Sequence, residues 1–347
     1  MVAGEVRSTR VLTGRLSYSL EFGDGARIHM KSQIIALEEH YIDPEVARHF
    51  KEPGPEGRDE QLRKRLYDVG ELRIREMDEV GIDLQVLSHS APATQRLDAD
   101  AAPAIARAAN DRLRETVRSS QGRFEAFAVL PTANPRAAAD ELERAVTKLG
   151  FKGAMIHGLS NGRFIDGREF WPIYERAQSL DVPIYVHPAV PHPAVVEAYY
   201  RDYLKEFPGL LTAAWGFTVE TATQGIRLVL SGVFEAYPGL KIILGHLGES
   251  LPFSLWRIDM ALARQGNRTS AFRDTFRQHF WITTSGNFST AALLCCVVEM
   301  GADRILFSVD YPFVPNPPGV RWMDHVPLGP EDREKILHGN AKRLLKL

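Results

Sequence analysis

From Gln33 onward, short runs of β-branched and apolar residues alternate with segments whose apolar positions recur at the helical period. This is the pattern of consecutive βα units. Eight runs read as strands: QIIALEEH (33–40), LQVLSHS (84–90), FEAFAVLP (124–131), GAMIHG (153–158), PIYVHP (183–188), KIILGH (241–246), WITTSG (281–286) and RILFSVD (304–310). A helix candidate follows each. Runs such as KIILG and RILFSV lack polar alternation, which predicts strands buried on both faces. The second helix sets Ile105, Ala108, Ala109, Leu113 and Val117 on one face against Arg107, Asn110, Asp111 and Arg114 on the other. In the third, Asn134 reads as the cap, Pro135 as the first position and Gly150 as the stop, with Ala138, Leu142, Ala145, Val146 and Leu149 on the packing face. Eight such pairs predict an α/β chain closed into a (β/α)8 TIM barrel. An open dinucleotide-binding sheet would carry GxGxxG after the first strand, where this chain reads EEHYIDPE.

Composition narrows this little. The 347 residues, 44% hydrophobic with a net charge of -2, suit one decorated barrel and give no basic excess for nucleic acid. We assign residues 33–347 to the barrel and residues 1–32, polar and dotted with glycine, to an N-terminal extension outside it. No signal-peptide core and no run of 18 apolar residues occurs, so neither export nor a membrane partner is expected. Cys295 and Cys296 are adjacent in an apolar helical run, which fits buried thiols in a reducing cytoplasm. Two insertions, 41–68 and 189–218, follow strands one and five, at the barrel end where active sites form.

Ionisable groups gather at that same end. Glu38, His40, His187, His246 and Asp310 each fall at the carboxyl end of an expected strand, and these ends form one ring. Glu38 and His40, two apart on an extended strand, would point to the same side and reach one ion, with Glu39 turned elsewhere. A single histidine at a strand end is more often structural than a ligand. Five groups converging at one rim change that balance. Imidazole and carboxylate without thiolate suit one divalent ion, Zn2+ or Mn2+, with an open coordination position.

Six segments carry a family resemblance: ALEEH (36–40), YVHP (185–188), ILGHLGE (243–249), WRID (256–259), ITTSGNF (282–288) and DRILFSVDYPF (303–313). In this order they resemble the γ-resorcylate and 2,3-dihydroxybenzoate decarboxylases, from about Ile34 to Leu347. These belong to the amidohydrolase-superfamily branch that includes aminocarboxymuconate semialdehyde decarboxylase and 5-carboxyvanillate decarboxylase. The resemblance implies that Glu38, His40, His187 and Asp310 hold the metal, that Glu249 orients His246 beside it, and that Arg257 binds substrate. It further implies a homodimer or homotetramer that decarboxylates an ortho-hydroxy aromatic acid. One ion can engage both the phenolate and the carboxylate of such an acid, while Asp310 protonates the ring carbon. Two departures bear on the substrate. His157 stands where these enzymes usually have asparagine, and HPAVPHP replaces HPRNP; with NGRFIDGREFWPIY (161–174), the second leans towards the carboxyvanillate type.

Lesser candidates for substrate contact are His157 itself, Trp215 and Phe217 in the second insertion, and Arg65 from the run Arg63, Lys64 and Arg65. Tyr67, with Leu72, Ile74, Met77 and Val80, reads as core packing, and His89 as structural. The alternative activity is hydrolysis of a lactone, ester or amide, since the same groups can activate water.

Overall fold

The computed structural model describes residues 17–21, 27–50, 59–264 and 271–347. The barrel strands are β1 (Ile35–Tyr41), β2 (Leu84–His89), β3 in two pieces (Phe124–Ala126 and Ala128–Val129), β4 (Ala154–His157), β5 (Ile184–His187), β6 (Ile242–Leu244), β7 (Phe280–Thr283) and β8 (Ile305–Leu306). They pair in sequence order, every pair parallel. Two seams complete the ring. Between the halves of β3, Phe127 N donates to Leu87 O at 2.9 Å; between β8 and β1, Leu37 N donates to Phe307 O at 3.1 Å beside a parallel bridge from Leu37 to Ser308.

The interior takes apolar residues from every strand. Ile35, Leu37, Val86, Phe127, Met155, Tyr185, Ile243 and Leu306 form one cluster with the partly buried Trp281, the filling of a barrel too narrow to be a pore. Ala341, Leu344 and Leu345 join it from the last helix, Asn340–Leu345. Asn340 Nδ2 ties that helix to Ala302 O and Ile305 O at 2.7 and 2.6 Å, so the end where the strands begin is closed. Only the opposite rim is free to build a site.

The helices form largely for the local reasons the sequence offers. Pro135–Leu149 starts on the Asn134 side chain, which accepts from Ala137 N, and ends at Gly150 with φ 77°. In Ala102–Ser119 the apolar face packs inward, but Asn110, expected on the polar face, is buried. Its amide accepts from Val129 N and donates to Val129 O, both at 2.9 Å, repairing backbone groups left unpaired beside the short β3. The first insertion contains helices Pro44–Ala47 and Glu60–Tyr67, and Glu71–Asp78 follows it; residues 51–58 lie outside the described residues. In the second, short helical turns between Pro193 and Leu211 lead into the helix Gly216–Leu230. Of the expected N-terminal extension, Ser17–Glu21 and Arg27–Lys31 form an antiparallel hairpin in a sheet of their own, while residues 1–16 and 22–26 lie outside the described residues. No helix among the described residues is long and apolar enough to cross a membrane. Cys295 is half-buried and Cys296 buried, both as free thiols.

Candidate metal centre

At the open rim, one atom each from Glu38, His40, His187 and Asp310 lies within 4.8 Å of the others. Glu38 Oε1 is 3.2 Å from His187 Nε2, and Asp310 Oδ1 is 3.2 Å from His40 Nε2. Bonds of about 2.1 Å place ligands at right angles about 3 Å apart around one ion, close to these spacings.

Glu38 does not arrive there on a regular strand, as the two-residue spacing to His40 leads one to expect. Its φ is 57°, and the β1–β2 register shifts between Ala36 and Glu39. This bulge re-aims the carboxylate into the barrel. Tyr185 OH, Thr283 Oγ1 and Ser285 Oγ all donate to Glu38 Oε2. A Cβ at residue 245 would stand 2.8 Å from the same oxygen, so only glycine fits there. With Oε2 fully engaged, Oε1 is left buried without a hydrogen-bond partner, and so is His40 Nε2.

The histidines are set the same way. His187 Nδ1 lies 2.7 Å from Pro188 O and must donate to it, leaving the Nε2 lone pair facing Glu38 Oε1. Two lone pairs facing each other in a buried site favour a cation between them. His40 Nδ1 faces Ser88 Oγ at 3.4 Å, again directing Nε2 inward. These orphaned atoms and the mixed donor set fit a divalent ion held by the four side chains.

His246 stands beside them, its Nε2 3.8 Å from both Glu38 Oε1 and Asp310 Oδ2, and its Nδ1 2.7 Å from Glu249 Oε1. This last contact depends on a left-handed turn: residues 246 to 250 all have φ between 49° and 75°. Leu247 N donates to Thr283 O at 2.7 Å to hold it. Burial works against charge on Glu38 and Asp310, yet the neighbouring histidines hold both carboxyls below their ordinary range. Burial likewise opposes a His246 cation, but Glu249, Glu38 and Asp310 raise it well above an ordinary histidine. The cluster is thus arranged to receive positive charge. His246 and Asp310 are also its most open members, with side chains 24% and 16% exposed against 9% or less for the others. Their side of the cluster is the one open to solvent.

His157, Phe217, His246, Asp310 and Phe313 line a cavity of 2120 Å³ above the cluster. His157 Nδ1 lies 3.0 Å from His187 Nδ1, and its backbone is gripped on both sides by Gln95. Burial holds the ring well below an ordinary histidine pKa, so it is a neutral ring. The ring also hydrogen-bonds to the His89 backbone, which fixes it at the cavity wall beside His187.

Other expected contacts fall elsewhere. Arg65 pairs with Glu76 through Nε at 3.0 Å and does not line the cavity, whereas Arg63 and Lys64 do. Tyr67, expected in the core, is 37% exposed and forms part of the cavity wall. Trp215 is exposed at the start of its helix and Arg257 is exposed on Leu251–Ala263; neither lines the cavity. Sequence reasoning passed over Tyr185, Thr283 and Ser285. Their only signal is that hydroxyl-bearing residues recur in YVHP and ITTSG, where ordinary strand preference explains them equally well.

An eight-stranded barrel with an imidazole–carboxylate cluster at the carboxyl ends of its strands defines a metal-dependent enzyme scaffold of the amidohydrolase kind. The family model for amidohydrolases matches residues 40–347. A γ-resorcylate decarboxylase from Polaromonas sp. is 43% identical over 325 residues, covering 90% of this chain and 98% of the relative. A solved dihydroxybenzoic acid decarboxylase from Polaromonas sp., with bound manganese and the inhibitor 2-nitroresorcinol, superposes with TM-score 0.84 at 42% identity, covering 91% of this chain and 97% of that one. The 5-carboxyvanillate decarboxylase of Sphingomonas paucimobilis gives TM-score 0.85 at 32% identity, covering 91% and 100%. The chain belongs to the amidohydrolase family, among relatives named as decarboxylases. The lean towards the carboxyvanillate type drawn from two loop motifs is not matched by overall identity, which is higher to the γ-resorcylate enzymes.

Proposed function

We propose that this chain is a manganese-dependent, non-oxidative decarboxylase of an ortho-hydroxy aromatic acid, of the 2,6-dihydroxybenzoate class. One observation carries the reading: Asp310 belongs to the four-ligand cluster and is also partly open to the cavity, beside His246. An ion held by Glu38, His40, His187 and Asp310 would, when bound, chelate the hydroxyl and carboxylate oxygens of such an acid. Asp310, whose carboxyl the neighbouring histidines hold below its ordinary range, first takes a proton from His246 and then passes it to the ring carbon bearing the carboxylate. The bond from that carbon to the carboxyl group then breaks, its electron pair restores the aromatic ring, and CO2 leaves. His246, whose cation its carboxylate neighbours favour and whose ring Glu249 orients, is the source of that proton. His157 flanks the substrate from the cavity wall, and Phe217 walls the ring. Trp215, Arg65 and Arg257 have no part in these contacts within one chain.

We place the enzyme in the cytoplasm and assemble it as a homodimer or homotetramer. Phe253, Trp256 and Val298, which are 83%, 60% and 78% exposed on two adjoining helices, offer an apolar face to a second copy.

The test is CO2 release by the Mn2+-loaded protein from 2,6-dihydroxybenzoate, salicylate and benzoate. The hydroxylated acids should react and benzoate should not, because only an ortho hydroxyl completes the chelate. A benzoate rate equal to that of salicylate would sink the chelation reading. Hydrolysis of an ester or lactone panel without any CO2 release would return the hydrolase alternative.

A further inference from the structure

The reaction above does not use Glu39, although this carboxylate is fully buried between two metal-ligand candidates. The bulge that turns Glu38 inward takes the local β1 backbone out of register, at the seam where β1 must close the barrel against the segment after β8. Leu37 N still donates to Phe307 O at 3.1 Å, and further on His40 N donates to Tyr311 O at 2.6 Å. Between them the N–H groups of Val309 and Tyr311 need other acceptors, because a buried N–H is rarely left unpaired.

Glu39 supplies them. Its Oε1 accepts from Val309 N at 2.9 Å and from Ser308 Oγ at 3.3 Å, and its Oε2 accepts from Tyr311 N at 3.2 Å. The two N–H groups flank Asp310, whose own φ of 70° is left-handed. A wrongly turned peptide on either side would swing the Asp310 carboxylate off the cluster. Behind the clamp, Gln85 donates through Nε2 to Glu39 Oε2 at 3.5 Å and accepts through Oε1 from the buried Arg73 at 3.4 Å. Arg73 also donates to His40 O and lies over the Tyr311 ring at 4.7 Å.

We infer that Glu39 is the positioning residue of the metal centre: its carboxylate replaces the ladder bonds lost at the Glu38 bulge and fixes the backbone that presents Asp310. This rests on Asp310 being a ligand, as proposed above. It requires the clamp to exist before metal binds.

Two measurements test it. In Glu39→Gln the single amide oxygen can satisfy only one of the two N–H groups. Mn2+ should bind about 10- to 100-fold more weakly, and kcat at saturating Mn2+ should fall at least about tenfold while KM for the aromatic acid stays within about threefold. Glu39→Asp, which keeps a carboxyl group but falls short of both N–H groups, should weaken Mn2+ binding at least as much. A purely structural Glu39 would lower Tm yet leave Mn2+ affinity and kcat of the folded variant within about twofold of the parent, and that result overturns the inference. Should neither variant fold, the unsubstituted protein decides: amide hydrogen exchange over residues 308–311 is expected to be slow in both metal-free and Mn2+-loaded states. Fast exchange there in the metal-free protein overturns the preformed clamp. Failure of the unsubstituted protein to bind Mn2+ at all would instead overturn the metal reading itself, and the exchange measurement would still report on the clamp.

Discussion

Asp310→Asn separates the two duties proposed for one side chain. Asp310 Oδ1 lies 3.2 Å from His40 Nε2 and Oδ2 lies 3.8 Å from His246 Nε2. Asparagine keeps this shape and one oxygen ligand, but it has no carboxylic proton to give. General acid catalysis is worth about 10² to 10⁴ in rate. Turnover of the Mn2+-reconstituted variant at saturating substrate should therefore drop at least about 10²-fold, about 2.7 kcal/mol in the barrier. The substitution also removes one of the carboxylates that sustain the His246 cation, but Glu249 remains at 2.7 Å, so His246 keeps an anionic partner. The assay follows loss of 2,6-dihydroxybenzoate absorbance, with metal content of the same sample measured by mass spectrometry and binding of a nitro-substituted analogue by titration. Expected are retained analogue binding, retained metal in excess Mn2+, and slow turnover. Near-normal turnover at full occupancy would refute the assignment and pass the proton to His246.

His187→Ala should lose most of its Mn2+ while melting as cooperatively as the parent, because the side chain sits at the rim rather than in the apolar filling of the barrel; full occupancy would remove it from the ligand set. His89 gives a pH prediction: its Nε2 accepts from Asp43 N at 3.0 Å, its Nδ1 donates to Ser90 O, and burial holds its pKa down to about 4. An unfolded histidine titrates near about 6.5, so the unfolded chain binds this proton first, and up to about 3 kcal/mol present above that pH is lost as pH falls towards 4. His89→Gln should flatten the fall in Tm across this window, and an unchanged slope would exclude His89 as a source.

The sequence exposed the barrel because its strands are buried on both faces and its helices carry local start and stop signals. Asn134, Pro135 and Gly150 act where they stand in the chain and need no tertiary context. The metal cluster was equally readable, since position at a strand end is a one-dimensional property. What escaped depends on rotation and register. Arg63, Lys64 and Arg65 are consecutive, and only the phase of the helix Glu60–Tyr67 sends two to the cavity and one to Glu76. Asn110 looked like a surface residue until Val129 proved to need both a donor and an acceptor. The bulge at Glu38 leaves no mark in ALEEH, and with it went the grip of Tyr185, Thr283 and Ser285 on the carboxylate.

Left-handed backbone serves the site at the rim, although it also occurs at Gln121, Asp181 and Lys346 near the end where the strands begin. Glu38, the turn from His246 to Ser250 and Asp310 all adopt left-handed conformations, which cost about 1–2 kcal/mol for most residues with a Cβ. All lie at the carboxyl ends of strands. At the other end, Ala341, Leu344 and Leu345 fill the barrel with ordinary apolar packing. A ligand set built from relaxed strands would send alternate side chains inward at fixed spacing and could not converge five groups on one point. Local left-handed turns break that spacing, and the tightly packed lower barrel lets the fold tolerate their cost. Stabilising substitutions therefore belong in the lower half, where they leave the geometry of Glu38, His246 and Asp310 untouched.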